Sequence, residues 1–225
     1  MRSMPSAAAL LALLAVLAPA LPAAGQGAGQ QARATAPAPR FVEVPATPAT
    51  LDALRAGGFA LYLRHGQTDN TRPDRLPAVD LADCTTQRPL SEEGRRTAVT
   101  VGAALRAAAI PIGEISISPM CRVRDTAAAA FPGRDVAADV LLMYSGNLTD
   151  AQKAPILDRT RILLSAPVPA GTNRLLIAHA PNLMDLIGYF PTEATLVVLR
   201  PRGDAGFDYV ASIPSTLWPV LLGGR

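Results

Sequence analysis

The 225 residues predict an α/β fold, a three-layer α/β/α sandwich around a largely parallel central sheet. Short apolar runs that suit buried strands alternate with longer segments carrying helix start and stop signals, the pattern of βα units. Residues 194–200 and 207–213, apolar segments flanking Arg202-Gly203, read as a β-hairpin that adds antiparallel edge strands. Apolar residues make up 49% of the chain and charged residues 17%, a balance that excludes a disordered or coiled-coil protein.

Residues 1–25 read as a signal peptide. Arg2 gives a positive start, Ala7 to Ala18 an apolar run too short to span a bilayer, and Ala23 to Gly25 small residues for cleavage. An uncleaved anchor is the rival reading, disfavoured by Pro19 and Pro22. Residues 26–40 are rich in Gly, Gln, Ala and Pro without periodicity and read as a disordered leader. Within them Gly27 to Ala32 matches a dinucleotide fingerprint, but no strand precedes it and no helix follows, so it is discarded. Residues 41–225 are then a single catalytic-sized domain, exported to the periplasm or secreted, with no membrane span once the signal is removed.

That domain opens with a helix capped at Thr47, started by Pro48 and stopped at Gly57. A strand follows at Phe59 to Leu63, then a long polar loop over 66–90, a length that usually signals function. Ser91 caps a helix reaching about Ala109, with Glu92 and Glu93 set against its dipole. A strand at Glu114 to Ile117 leads through Ser118-Pro119 into a helix ending near Gly133. Thr149 and Asp150 start another helix that runs to about Ser165. Strand Arg174 to Ala178 feeds a helix from Pro181.

The formal net charge of +3 is carried on the basic side almost wholly by arginine, Lys153 being the one lysine. Arginine forks onto phosphate and carboxylate oxygens, so an anionic ligand suits the chain. No basic stripe interleaved with aromatics is present, which argues against nucleic acid as a partner. Cys84 and Cys121 suit an oxidising compartment. Paired, they would close a loop of about forty residues and contribute about 3 to 4 kcal/mol; two buried thiols are the other reading. Two cysteines and two histidines at these separations are no recognisable zinc site.

The only histidines, His65 and His179, each follow a predicted strand directly, where ligands of parallel sheets bind. A third strand leads into Ser118-Pro119-Met120-Cys121-Arg122, at a helix start whose amides favour anions. Arg64-His65-Gly66 with Thr68, Leu90-Ser91 to Gly94, Ser118-Pro119 through Arg122 to Thr126-Ala127, and His179 before a helix resemble the histidine phosphatase superfamily in its phosphoglycerate-mutase-like branch. The likeness spans residues 59–200. Asp80 to Cys84, Gln87-Arg88 and Glu193 look most like exported bacterial members related to lipopolysaccharide core heptose phosphate phosphatases.

The resemblance implies that His65 is the nucleophile of a phosphohistidine mechanism needing neither metal nor cofactor. It implies that Arg64, Arg122 and His179, with Thr68, bind the phosphoryl group. The proton donor is not implied: Ala180 stands where one branch has an Asp, leaving Glu193 as first choice and Asp139 and Asp150 as others. The expected substrate is a phosphorylated small molecule or glycolipid, such as a sugar phosphate or an envelope lipid; a mutase, or a phosphate-binding protein with a degenerate pocket, are the alternatives. Cysteine-phosphatase C-x5-R spacing, a P-loop and a serine-hydrolase elbow are all missing. The sequence sets no oligomeric state.

Overall fold

The structure is a computed structural model and describes residues 40–75 and 79–223. The expected signal peptide, residues 1–25, and all of the expected leader, residues 26–40, except Arg40 lie outside the described residues. Among the described residues no helix is long and apolar enough to cross a membrane.

The elements follow in the order α1 (Pro48–Ala56), β1 (Ala60–Arg64), α2 (Glu92–Ala107), β2 (Ile112–Ile117), α3 (Cys121–Ala130), β3 (Ala137–Ala138), α4 (Asp150–Ser165), β4 (Asn173–Ala178), α5 (Ala180–Ile187), β5 (Leu196–Pro201), β6 (Phe207–Ile213) and α6 (Trp218–Leu221). The sheet runs β3-β2-β4-β1-β5-β6. β1 pairs with β4, and β2 with both β4 and β3, in parallel; β5 is antiparallel to β1 and β6 to β5. The hairpin expected at the sheet edge is therefore placed differently. Of the hairpin's two strands β6 alone is at an edge, while β5 lies beside β1 and is buried along Leu196 to Leu199, as its unbroken apolar run requires. β3, two exposed alanines, is too short for any periodicity to show.

Strand alternation sorts the core into two layers. Leu61, Leu63, Ile115, Ile117, Leu175 and Ile177 pack with residues of α1, α2 and α3. Ala60, Tyr62, Leu176 and Ala178 pack with Leu163 and Leu164 of α4 and Leu183 of α5. A central sheet buried on both faces is the reason its strands read as continuous apolar runs.

Two contacts aim the layers at the sheet's carboxyl edge. Ser91 caps α2 by accepting from the Gly94 amide at 3.0 Å and donates to the Gln67 carbonyl at 3.0 Å, pinning the segment after β1. A Cβ at Gly94 would lie 2.0 Å from that same carbonyl oxygen, so only glycine permits the approach. On the other side, Thr126 of α3 donates to the Arg122 carbonyl and accepts from the Gly66 amide at 3.1 Å, tying the helix to the residue after His65.

Cys84 and Cys121 form a disulfide that closes 37 positions and joins the long loop to the first residue of α3. The chain-entropy value for such a loop, about 3 to 4 kcal/mol, is a large part of a domain's net stability. Its position matters as much as its energy, because the next residue is Arg122.

Candidate active site

Strand register assembles the site. In the parallel ladder Arg64 lies opposite Ala178 and Ile117 opposite Ile177. His65 therefore emerges level with His179, and Ser118 level with Ala178 one residue earlier, on neighbouring strands spaced about 4.8 Å apart. The His65 amide donates to the Ala178 carbonyl at 3.1 Å, and Ala194 donates to the His65 carbonyl at 3.1 Å, so its backbone is held from both sides. The two imidazole centroids are 5.3 Å apart at 65°. Both rings are buried.

The tautomers follow from the partners. His65 Nδ1 is 2.7 Å from the Gly66 carbonyl oxygen. That oxygen only accepts, so Nδ1 carries the hydrogen, and Nε2 of the neutral ring keeps its lone pair. His179 Nε2 is 2.9 Å from Ser118 Oγ, and its Nδ1 is buried without a protein partner. With the serine hydroxyl donating to Nε2, Nδ1 carries a hydrogen that no protein acceptor takes up. Tyr62 holds the His179 backbone, accepting from its amide at 3.1 Å and donating to its carbonyl at 2.7 Å.

Two guanidinium groups flank the rings. Arg64 donates to the Pro191 carbonyl at 2.6 Å and stands 3.5 Å from Glu193 Oε1, with Phe190 stacked 5.1 Å from its guanidinium carbon. Arg122 is completely buried. Its Nη1 donates to Asp74 Oδ1 at 3.0 Å, and it lies 5.6 Å from the Tyr144 ring centroid. Arg64 Nε and Arg122 Nε and Nη2 are buried without protein partners. Buried donors are rarely left unmet, and the two guanidinium groups that carry these both act electrostatically on both imidazoles. Such a cradle of cationic donors suits the oxygens of a tetrahedral anion.

Sequence reasoning missed two members. Arg88 bears electrostatically on both histidines and both arginines. Its Nη1 donates to Asn70 Oδ1 at 3.0 Å, and its Nε is buried and unpartnered. Asp74 Oδ1 also accepts from the Arg88 amide at 2.8 Å. Asn70, Asp74, Arg88, Tyr144 and Asn147 line a cavity of about 200 Å³. All but Tyr144 and Asn147 come from the long loop, where no periodicity reveals side-chain direction. The loop's length was the one available signal.

The other expected residues divide. Thr68 is buried, bridges to Leu90, and leaves its hydroxyl without a protein partner. Glu193 is brought beside Arg64. The alternative donors are elsewhere: Asp139, after the edge strand β3, accepts from the Leu141 amide and pairs with Arg159 at 2.7 Å. Asp150 is exposed at the first residue of α4, where it serves the helix dipole. The α3 start is less open than expected as well, because Gln87 Oε1 occupies the Cys121 amide at 2.8 Å.

Burial, then the charge of Arg122, push the His65 imidazole down to about 3, against the opposing pull of the Gly66 carbonyl. His179 is held well below its ordinary value by burial, Arg122 and His65. Folded, both rings are neutral near neutrality; unfolded, they titrate near 6.5. Below about 6.5 the unfolded chain binds protons that the folded chain refuses, so stability falls with falling pH by up to about 1.4 kcal/mol per unit for each ring. Urea midpoints measured at about pH 7 and about pH 5, above the carboxylate range, are expected to drop at the lower value, and His65→Gln to reduce the drop. Equal midpoints would show that the rings accept protons in the fold.

Fold and site together suit the handling of a phosphoryl group. Residues 61–141 match the family model of the histidine phosphatase superfamily (branch 1). No curated protein matches the sequence. Among solved structures, a candidate alpha-ribazole-5'-P phosphatase from Escherichia coli K-12 shares the fold at 15% identity and a TM-score of 0.50, covering 70% of this chain and 97% of that one. The protein histidine phosphatase SixA with tungstate is also similar, at 15% identity, with 70% and 97% covered and a TM-score of 0.48. A mycobacterial glucosyl-3-phosphoglycerate phosphatase with inorganic phosphate is 20% identical, with 71% and 99% covered and a TM-score of 0.46.

Proposed function

We propose that the protein hydrolyses a phosphomonoester through a phosphohistidine on His65. The observation that carries this is the tautomer: a neutral ring with its hydrogen committed to the Gly66 carbonyl keeps a nucleophilic Nε2 beside buried, underused guanidinium donors. His65 Nε2 attacks phosphorus and the ester P–O bond breaks to release the alcohol, while Arg64, Arg122 and the Nδ1 hydrogen of His179 take the equatorial oxygens, where charge concentrates in the transfer. Water then hydrolyses the phosphohistidine and restores the ring.

The 200 Å³ cavity beside the cradle suits the alcohol portion of a small substrate, in line with a sugar phosphate or an envelope glycolipid headgroup. The likeness to heptose phosphate phosphatases, carried by Asp80 to Cys84, Gln87-Arg88 and Glu193, supports that class. The disulfide supports an oxidising compartment, and with the signal-like first 25 residues it supports a periplasmic or secreted location.

The test is p-nitrophenyl phosphate turnover in the presence of chelator, with the enzyme quenched and probed for acid-labile phosphate. Turnover with label on His65 is expected. Anion binding without turnover would favour a degenerate pocket, and turnover without label would remove the covalent step.

A further inference from the structure

The cradle has a carboxylate that the sequence pattern did not single out. Asp74 is held by one oxygen only: Oδ1 accepts from Arg122 Nη1 and from the Arg88 amide. Its side chain is mostly but not wholly buried, and it lines the cavity beside the cradle with Arg88, Tyr144 and Asn147. Glu193, the other carboxylate at the site, pairs with Arg64 instead, at a longer 3.5 Å and more exposed. Of the two, Asp74 shares Arg122 with the phosphoryl group and faces the space in which the leaving alcohol must sit.

Resting on the phosphoryl-transfer reading above, we propose that Asp74 is the general acid and base of the reaction. A phosphoryl group held by Arg122 is brought beside the Asp74 carboxyl, which starts the cycle with its proton on Oδ2. In the first step Nε2 of His65 bonds to phosphorus, the ester P–O bond breaks, and the departing oxygen takes the proton of Asp74 Oδ2. The resulting carboxylate then accepts a proton from water as the water oxygen bonds to phosphorus. The P–N bond breaks, its electron pair returns to Nε2, and Asp74 is protonated again for the next turnover. No further reactant is needed.

Asp74→Asn keeps the oxygen that Arg122 and the Arg88 amide contact but cannot donate a carboxylic proton. In the full chain, kcat for a simple alkyl phosphate such as glycerol phosphate is expected to fall by about 10²-fold or more, the usual worth of a general acid. For p-nitrophenyl phosphate, whose leaving group needs no proton, formation of the His65 phosphoenzyme in a rapid quench should fall far less. Glu193→Gln, measured identically, should slow both substrates by a similar factor. Equal losses for both substrates in Asp74→Asn, or the leaving-group signature appearing in Glu193→Gln, would overturn the assignment. Phosphoenzyme formed by Asp74→Asn verifies that the variant is folded; should wild type form none, the covalent reading fails instead.

Discussion

Replacing His65 by alanine is expected to lower turnover by about 10³-fold or more while the chain still folds and still binds phosphate. The imidazole supplies the only lone pair of a committed neutral ring at the centre of the cradle, so nothing nearby can replace it. His179 cannot substitute, because its Nε2 is engaged by Ser118. The binding groups do not depend on His65: Arg64 is held by the Pro191 carbonyl and Glu193, and Arg122 by Asp74. Loss of kcat with phosphate affinity kept within about tenfold is therefore the outcome that separates a nucleophile from a ligand. Activity near the wild-type level would remove His65 from the chemistry. Loss of phosphate binding as well, in a folded variant, would make the ring part of the anion site instead.

The sheet and most helices were legible because they obey simple periods and caps. Ser91, Pro48 and Thr149 sit where the helices start, and β1 and β4 read as short apolar runs ending in His65 and His179. Two histidines from two strand ends could be brought together on paper because parallel strands are adjacent objects with known spacing. What was not legible came from places without a period. The position of β5 inside the sheet is decided by pairing with β1, a long-range choice that a hairpin pattern leaves open. Asp74 and Arg88 sit in the loop, and only contacts with Arg122 and Asn70 reveal which way they point. Asp139 illustrates the opposite error: its place in the chain was suitable, but an adjacent amide and Arg159 claim it. The cysteine pair was undecidable at sequence level since the separation of two Cα atoms, 5.7 Å here, is a tertiary quantity.

Arg122→Met is expected to cost about 10² to 10³-fold in kcat/KM and yet to raise the melting temperature of the free protein. The arginine is fully buried with Nε and Nη2 unpartnered, so the fold bears the desolvation of a cation that only Asp74 compensates. A thioether of similar length fills the space at no such cost. Asp74 then keeps the Arg88 amide and partial access to water, so the carboxylate left behind is not stranded. Arg122 is also the second-largest cause depressing both imidazoles, and removing it relieves them of part of their acid sensitivity. Inorganic phosphate separates the two roles: saturating anion at about a hundred times its Kd adds about 2.7 kcal/mol to a protein that binds it when folded, and that increment should appear in wild type and vanish in the variant. A variant that melts well below wild type would identify the guanidinium as a structural strut. One that keeps the phosphate increment would move the anion site away from Arg122. Both expected results follow from one feature: the protein itself supplies no partner for Arg122 Nε and Nη2, which leaves these donors to the phosphoryl oxygens.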